Sequence, residues 1–360
     1  MSERVWTAAD FDYELPEELI AQVPAAERGE SRLLVVSRDR RLAQGEGSAE
    51  NIAAPYVARD DAFPAIIDLI PPGDLVVVNS TKVLHARFLG TRPSGARAEV
   101  LLIHPSTDDS WIAIGKPGRA MTPGRRIALS DDVSIETIEI VEDSMRRVKF
   151  VGATAAEAMN RFGRIPLPPY IAREPTPDDD RRYQTVYAAR EGSVAAPTAG
   201  LHFTSALLDA LRSKGVIIAT LDLEVGPGTF RPMNDGDVLT HAMHTEHFEI
   251  PELLAQEVAA CRARGARIWA VGTTVVRALE SAASTDGTVR AGAADTKLMI
   301  VPGFPFRVVD HLVTNFHLPK STLLMLVAAF AGHDVTMAAY RHAVEQRYRF
   351  YSYGDAMVIV

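Results

Sequence analysis

Four short segments combine turn-forming glycine or proline with side chains able to move a proton or hold an anion. Residues 192–203 (GSVAAPTAGLHF) place Thr198 and His202 around Gly200, which permits close backbone approach. Residues 224–230 (EVGPGTF) begin with Glu224, able to take a proton or accept a ribose hydroxyl; Gly226, Gly228 and Thr229 follow around Pro227 in a tight turn with exposed N–H groups. In residues 271–280 (VGTTVVRALE) a strand ends, Gly272 turns, and Thr273 and Thr274 open a helix with Arg277 one turn in. Free N–H groups and the helix dipole make that an anion or carboxylate site. Residues 314–322 (TNFHLPKST) set Asn315 and His317 before an apolar helix capped by Ser321. Each segment also has a plain reading: Thr204 as a helix cap, Glu224 as a solvent-facing carboxylate, Thr273 as ordinary capping, and a polar loop before a core helix.

A fifth segment, HAMHTEHFEI (241–250), spaces His241, His244 and His247 three apart beside Glu246. On a helix each step of three turns by about 60°, so the outer pair diverges by about 120°. An extended segment instead puts His244 and Glu246 on one face. The string is not HExxH and no second ligand cluster accompanies it, so no metal is expected. Acid/base or substrate-orienting histidines are the expectation.

Elements that position these segments are legible around them. Residues 16–22 read as a short helix, 31–37 and 74–79 as strands, and 44–62 as an exposed loop. From residue 88 to 151, short β-type runs (98–103, 111–114, 126–129, 133–141, 147–151) are broken by Gly, Pro and Asp, the pattern of a small antiparallel barrel. Thr154 and Glu157 have capping-box spacing before a helix over 154–161, and Pro-rich 165–171 marks a boundary. Helices over 205–214, 251–264, 274–283 and 321–331 then alternate with strands over 216–225 and 267–271. The expected fold class is α/β: a mainly parallel sheet domain (1–72 and 156–360) interrupted by a β-barrel insertion (73–155).

Composition narrows the class. The chain has 360 residues, 47% of them hydrophobic, which suffices for a real core. One cysteine, Cys261, permits neither an intrachain disulfide nor a thiolate cluster and fits a reducing compartment. The N-terminus carries no targeting pattern, and the longest apolar run, 323–331, falls well short of the ~20 residues of a membrane span. A cytoplasmic protein without a membrane partner is expected. A net charge of −8 argues against nonspecific coating of nucleic acid. Yet residues 82–126 hold eight bases (Lys82, Arg87, Arg92, Arg97, Lys116, Arg119, Arg125, Arg126) against three acids, a local +5 that suits either a phosphate-contacting face or an ordinary solvated β surface.

Eight strings in order carry a resemblance over almost the whole chain: LPEELIAQVPAAERGESRLLVV, GDLVVVNSTKVLHARFLG, YQTVYA with GSVAAPTAGLHF, VGPGTFRP, HAMHTEHFEI, AVGTTVVRALES, VDHLVTNFHLPKSTLLMLVAAFAG and YRFYSYGDAM. They resemble the S-adenosylmethionine:tRNA ribosyltransferase-isomerases of queuosine biosynthesis. The resemblance implies an α/β domain with an inserted barrel. It also implies transfer of the ribosyl part of S-adenosylmethionine onto 7-aminomethyl-7-deazaguanine at the tRNA wobble position, giving epoxyqueuosine with loss of adenine and methionine. S-adenosylmethionine is then a substrate, no cofactor is needed, the tRNA partner enters by its anticodon loop, and a monomer suffices.

That chemistry needs a base beside the sulfonium and an acid for adenine, for which His202, Glu224, His244, Glu246 and His317 are the candidates. Thr273, Thr274 and Arg277 would hold the methionine carboxylate or a phosphate. Thr198, Gly200, Gly226, Gly228, Thr229 and Asn315 would line the substrate, and Asn79, Lys82 and Arg87 would meet the anticodon loop. The chain departs from the family pattern at Ser80 and Lys82 (NDTR expected), at Glu224 (His expected) and at Pro227 (GAG expected), and a His-containing motif is missing from residues 44–62. A paralogue acting on another acceptor, or an inactive tRNA-binding protein, is the alternative.

Overall fold

Strands buried on both faces need apolar side chains at every position, and LVVVN (75–79) and IWAV (268–271) have that character. The computed structural model describes residues 5–37, 57–142, 145–226 and 243–360, and both runs lie in the middle of its large sheet. That sheet has nine strands: β15 (Gly292–Thr296), β13 (Glu246–Ile250), β12 (Ile217–Leu223), β3 (Leu75–Asn79), β14 (Ile268–Val271), β16 (His311–Asn315), β17 (Ala356–Ile359), β1 (Arg32–Ser37) and β2 (Val57–Ala62), in that spatial order. Alternate residues face opposite layers. Leu75, Val77, Ile268 and Ala270 pack with α5 (Glu252–Ala263), α6 (Thr273–Ala282), α7 (Thr322–Ala331) and α8 (His333–Glu345). Val76, Val78, Trp269 and Val271 pack with α1 (Ile66–Leu69) and α4 (Ser205–Ser213).

The sheet is mixed rather than mainly parallel. Pairings β12–β3, β3–β14, β14–β16 and β17–β1 are parallel, and the other four are antiparallel. The antiparallel pairs arise at the edges, where β2, β13 and β15 are added, and where the C-terminal strand β17 returns between β16 and β1. The consequence for the site is that β12, β3, β14 and β16 all end at one edge, where open α/β sheets bind ligands.

Six more strands form a separate antiparallel sheet: β5 (Arg87–Thr91), β6 (Arg97–Pro105), β7 (Ser110–Lys116), β8 (Arg126–Ala128), β9 (Ser134–Glu142) and β10 (Met145–Val151). The pairing runs β10–β7–β6–β5–β8–β9, and β9 pairs again with β10. Phe88, Val100, Leu102, Ile127, Ile135 and Val148 form its own core. Because β3 is central to the large sheet, the expected start of the insertion at residue 73 falls too early; the first strand of the second sheet begins at Arg87. A two-stranded parallel pair, β4 (Thr81–Val83) with β11 (Arg190–Ser193), lies between.

Helix α2 (Ala155–Phe162) begins with the expected capping box of Thr154 and Glu157, and α3 (Pro177–Arg182) follows the Pro-rich stretch. Two local expectations change. Residues 16–22 give only a 3-10 turn, Glu17–Leu19. The loop expected over 44–62 ends in β2, added as an antiparallel edge to β1, and its earlier part lies outside the described residues. Among the described residues no single helix is long and apolar enough to cross a membrane.

Candidate active site

All four chemistry-bearing segments meet where the parallel strands end, the second of them through Val225. The cleft and its open mouth together hold about 640 Å³ of space. Thr198 and its neighbours supply one wall, Gly272, Thr273 and Thr274 a second, and Thr314 to Leu318 a third. Gly272 has φ +94°, a backbone open to glycine and strained for other residues, and its N–H donates to Val313 O at 2.8 Å. The chain thereby leaves β14 and enters α6 with no side-chain cap on the first turn. Thr274 lines the cleft, and its buried hydroxyl has no partner among the described residues. An uncapped helix start with a free hydroxyl suits a carboxylate.

His317 is the imidazole in this cleft. Its Nε2 lies 2.8 Å from Thr314 Oγ1, its backbone N–H donates to Tyr340 Oη at 3.0 Å, and burial pushes its pKa down to about 3. Asn315, 2% exposed, forms part of the same wall. His202 does not line the cleft. It packs against Phe63 with ring centroids 5.1 Å apart, Nδ1 lies 2.7 Å from Ser31 Oγ, and Nε2 lies 3.1 Å from Asn315 Nδ2. Burial pushes its pKa down to about 3 as well. Both ring nitrogens of His202 are therefore engaged within the protein, outside the cleft lining.

The remaining candidates separate from the cleft for identifiable reasons. Alternation along the chain leaving β12 turns Val225 into the cleft and Glu224 away, toward Thr81, Arg190, Gly192 and His247. Glu246 and Arg277 face each other as a buried ion pair, each side chain 6% exposed, and Arg277 Nε donates to Leu298 O at 3.0 Å. The other Arg277 terminal nitrogen, Nη2, is buried without a partner among the described residues. Neither residue lines the cleft. His244 is exposed and precedes β13, so it does not share a strand face with the buried Glu246. His241, Gly228 and Thr229 lie outside the described residues, and Gly226 is the last described residue of its turn. Among the described residues no cluster of His, Cys, Asp or Glu has metal-holding geometry.

Gly200 serves packing rather than ligand approach, since a Cβ there would sit 2.1 Å from Tyr187 Oη. Asn79 is held at both ends of its amide: Nδ2 donates to Leu223 O at 2.9 Å, and Oδ1 accepts from Thr81 N and Leu223 N at 3.1 Å each. It ties β3 to the end of β12. Lys82 pairs with Glu191 at 2.9 Å, and Arg87 with Glu99 at 3.1 Å and Glu174 at 3.2 Å. Ser80 Oγ donates to Leu221 O at 3.1 Å. The departures at Ser80, Lys82 and Glu224 therefore all lie off the cleft lining.

Tyr170 and Tyr351 complete the cleft and were not singled out from the sequence. Their ring centroids are 4.5 Å apart, and Tyr351 has φ +70°, a strained conformation for a non-glycine residue. Tyr351 N–H donates to Phe316 O at 3.2 Å, and its carbonyl accepts from Gly354 N at 2.9 Å, which holds that conformation. The only sequence signals were the aromatic residues of IPLPPYI and YRFYSYGDAM.

Fold and cleft together define a mixed α/β protein with a polar cleft where its parallel strands end. A family model described as Queuosine biosynthesis protein matches residues 8–359. The S-adenosylmethionine:tRNA ribosyltransferase-isomerase of Cupriavidus pinatubonensis is 48% identical over 98% of this chain and 99% of its own. That of Syntrophotalea carbinolica is 46% identical over 98% and 99%. The crystal structure of S-adenosylmethionine tRNA ribosyltransferase from Thermotoga maritima is 36% identical, with a TM-score of 0.54, covering 98% of this chain and 100% of that one. The chain belongs to the queuosine biosynthesis protein family.

Proposed function

We propose that this chain is a cytoplasmic enzyme that transfers the ribosyl part of S-adenosylmethionine onto 7-aminomethyl-7-deazaguanine in tRNA and isomerises it, giving epoxyqueuosine-tRNA, adenine and methionine. The observation that carries this reading is the cleft itself. An uncapped helix start with the free Thr274 hydroxyl, an aromatic pair and a neutral imidazole converge at one sheet edge. In the proposed complex the Thr273–Thr274 turn receives the methionine carboxylate, and Tyr170 and Tyr351 form a wall for a flat base. Of the candidate acids and bases, His317 is the one that lines the cleft, where the proton acidified by the adjacent sulfonium would lie. Thr198 closes the opposite wall.

The ring of six strands is read as a small inserted β-barrel that meets the anticodon loop of the tRNA. Arg97, Lys116, Arg119 and Arg125 are exposed on it and form no ion pair among the described residues. They are better placed for phosphates than Lys82 and Arg87, whose charges already face carboxylates. The protein acts as a monomer, without a metal or resident cofactor. Calorimetry tests the reading: S-adenosylmethionine binds the wild type, and Thr274→Val, which removes the free hydroxyl at constant shape, binds roughly tenfold more weakly. No binding heat from the folded wild type would favour an inactive tRNA-binding protein.

A further inference from the structure

Asn315 presents an acceptor without a mate in the cleft wall. Its Nδ2 donates to Tyr351 O at 2.9 Å and lies 3.1 Å from His202 Nε2. A backbone carbonyl only accepts, so the NH2 end of the amide must face Tyr351, and its second N–H finds its acceptor at His202. Nε2 then carries no proton. The imidazole proton sits on Nδ1 and is donated to Ser31 Oγ, 2.7 Å away. This relay fixes the carboxamide, whose Oδ1, buried, has no partner among the described residues. A buried carbonyl oxygen without a donor is rare in folded proteins and costly.

We propose that Ser31 and His202 are positioning residues that hold Asn315 with Oδ1 toward the cleft, where it accepts a hydrogen bond from an N–H of bound S-adenosylmethionine. The proposal rests on the reading of the cleft as the S-adenosylmethionine site. The ligand offers two such donors, the exocyclic amine of adenine and the ammonium of methionine. A cationic His202 could not serve, because a protonated Nε2 would face the amide N–H; burial keeps the ring neutral. The relay also accounts for a histidine so close to the cleft that does not line it.

The test is calorimetry with S-adenosylmethionine, its inosyl analogue lacking the adenine amine, and 5′-methylthioadenosine lacking the ammonium. Asn315→Ala is expected to bind S-adenosylmethionine about tenfold more weakly. His202→Phe, which removes the acceptor, weakens binding several-fold; His202→Gln, which retains one, restores it; and His202→Phe in the Asn315→Ala background adds nothing. If adenine is the donor, the loss on Asn315→Ala persists with methylthioadenosine and vanishes with the inosyl analogue. If the ammonium is the donor, the pattern reverses. A loss that persists with both analogues overturns the proposed hydrogen bond. Nitrogen-15 NMR of the wild type, which needs no variant to fold, should show His202 protonated on Nδ1; protonation on Nε2 overturns the relay. Wild-type protein that fails to bind S-adenosylmethionine defeats the underlying reading, whereas binding that none of the variants alters defeats this inference alone.

Discussion

Lowering the pH from 7 to 5 should cost this protein stability through two residues, His202 and His317. Each is buried, 5% and 9% exposed, and burial holds each folded-state pKa at about 3. In the unfolded chain both titrate near 6.5. The unfolded state therefore binds more protons between those values. The stabilisation is complete above the unfolded pKa and is lost progressively as pH falls from 6.5 toward 3. At pH 5 an unfolded histidine is almost fully protonated, which amounts to about 2 kcal/mol per residue, or about 4 kcal/mol for the pair, with about 0.2 kcal/mol each already lost at pH 7. At pH 5 this figure hardly depends on the folded value, provided that it stays well below 5. Urea unfolding at pH 7 and pH 5 measures it. Each single variant, His202→Gln or His317→Gln, should lose about 2 kcal/mol less over that interval than the wild type does. Equal losses in wild type and both variants would refute the claim that these rings are folded in as neutral groups.

Three further outcomes follow from the packing. Gly200→Ala should lower Tm, costing roughly 1–3 kcal/mol, because its Cβ would sit 2.1 Å from Tyr187 Oη; adding Tyr187→Phe should recover part of the loss, and no recovery would contradict the steric cause. Arg277→Met should cost roughly 3–5 kcal/mol by removing the cation that faces buried Glu246, while S-adenosylmethionine affinity of the folded variant stays within about twofold; a large affinity loss at unchanged stability would return Arg277 to the binding site. Neutralising Arg97, Lys116, Arg119 and Arg125 should flatten the salt dependence of tRNA binding by ~0.7 for each phosphate that then goes unneutralised, whereas Arg87→Gln should leave it unchanged; the reverse pattern in filter binding would move the tRNA surface.

The elements around the site were largely legible, because local rules and global packing agree there. The capping box at Thr154, the glycine after α4 and the turn at Gly272 stand where their side chains and φ angles predict. The assembly of four loops at one edge followed from strand–helix alternation, which brings the carboxyl ends of parallel strands together. What the chain did not disclose is which side of each loop faces the cleft. Glu224 and Val225 are adjacent, and only tertiary structure decides that Val225 points inward. His202 has the residue type of a catalyst, but Ser31, 171 positions away in sequence, and Asn315, 113 away, occupy its nitrogens. Glu246 and Arg277 likewise look like site residues until the fold sets them against each other. The antiparallel half of the sheet was hidden because a C-terminal strand returning between β16 and β1 leaves no local mark. Tyr170 and Tyr351 sit in irregular segments with no periodicity to single them out.

The central claim is the reaction, and mass spectrometry of nucleosides tests it most directly. The wild-type chain, treated with chelator, is incubated with S-adenosylmethionine and tRNA carrying 7-aminomethyl-7-deazaguanine, and the tRNA is then digested. The account predicts epoxyqueuosine, with adenine and methionine released in equal amounts and no requirement for added metal. Unmodified 7-aminomethyl-7-deazaguanine after incubation with folded protein that binds both substrates would contradict it.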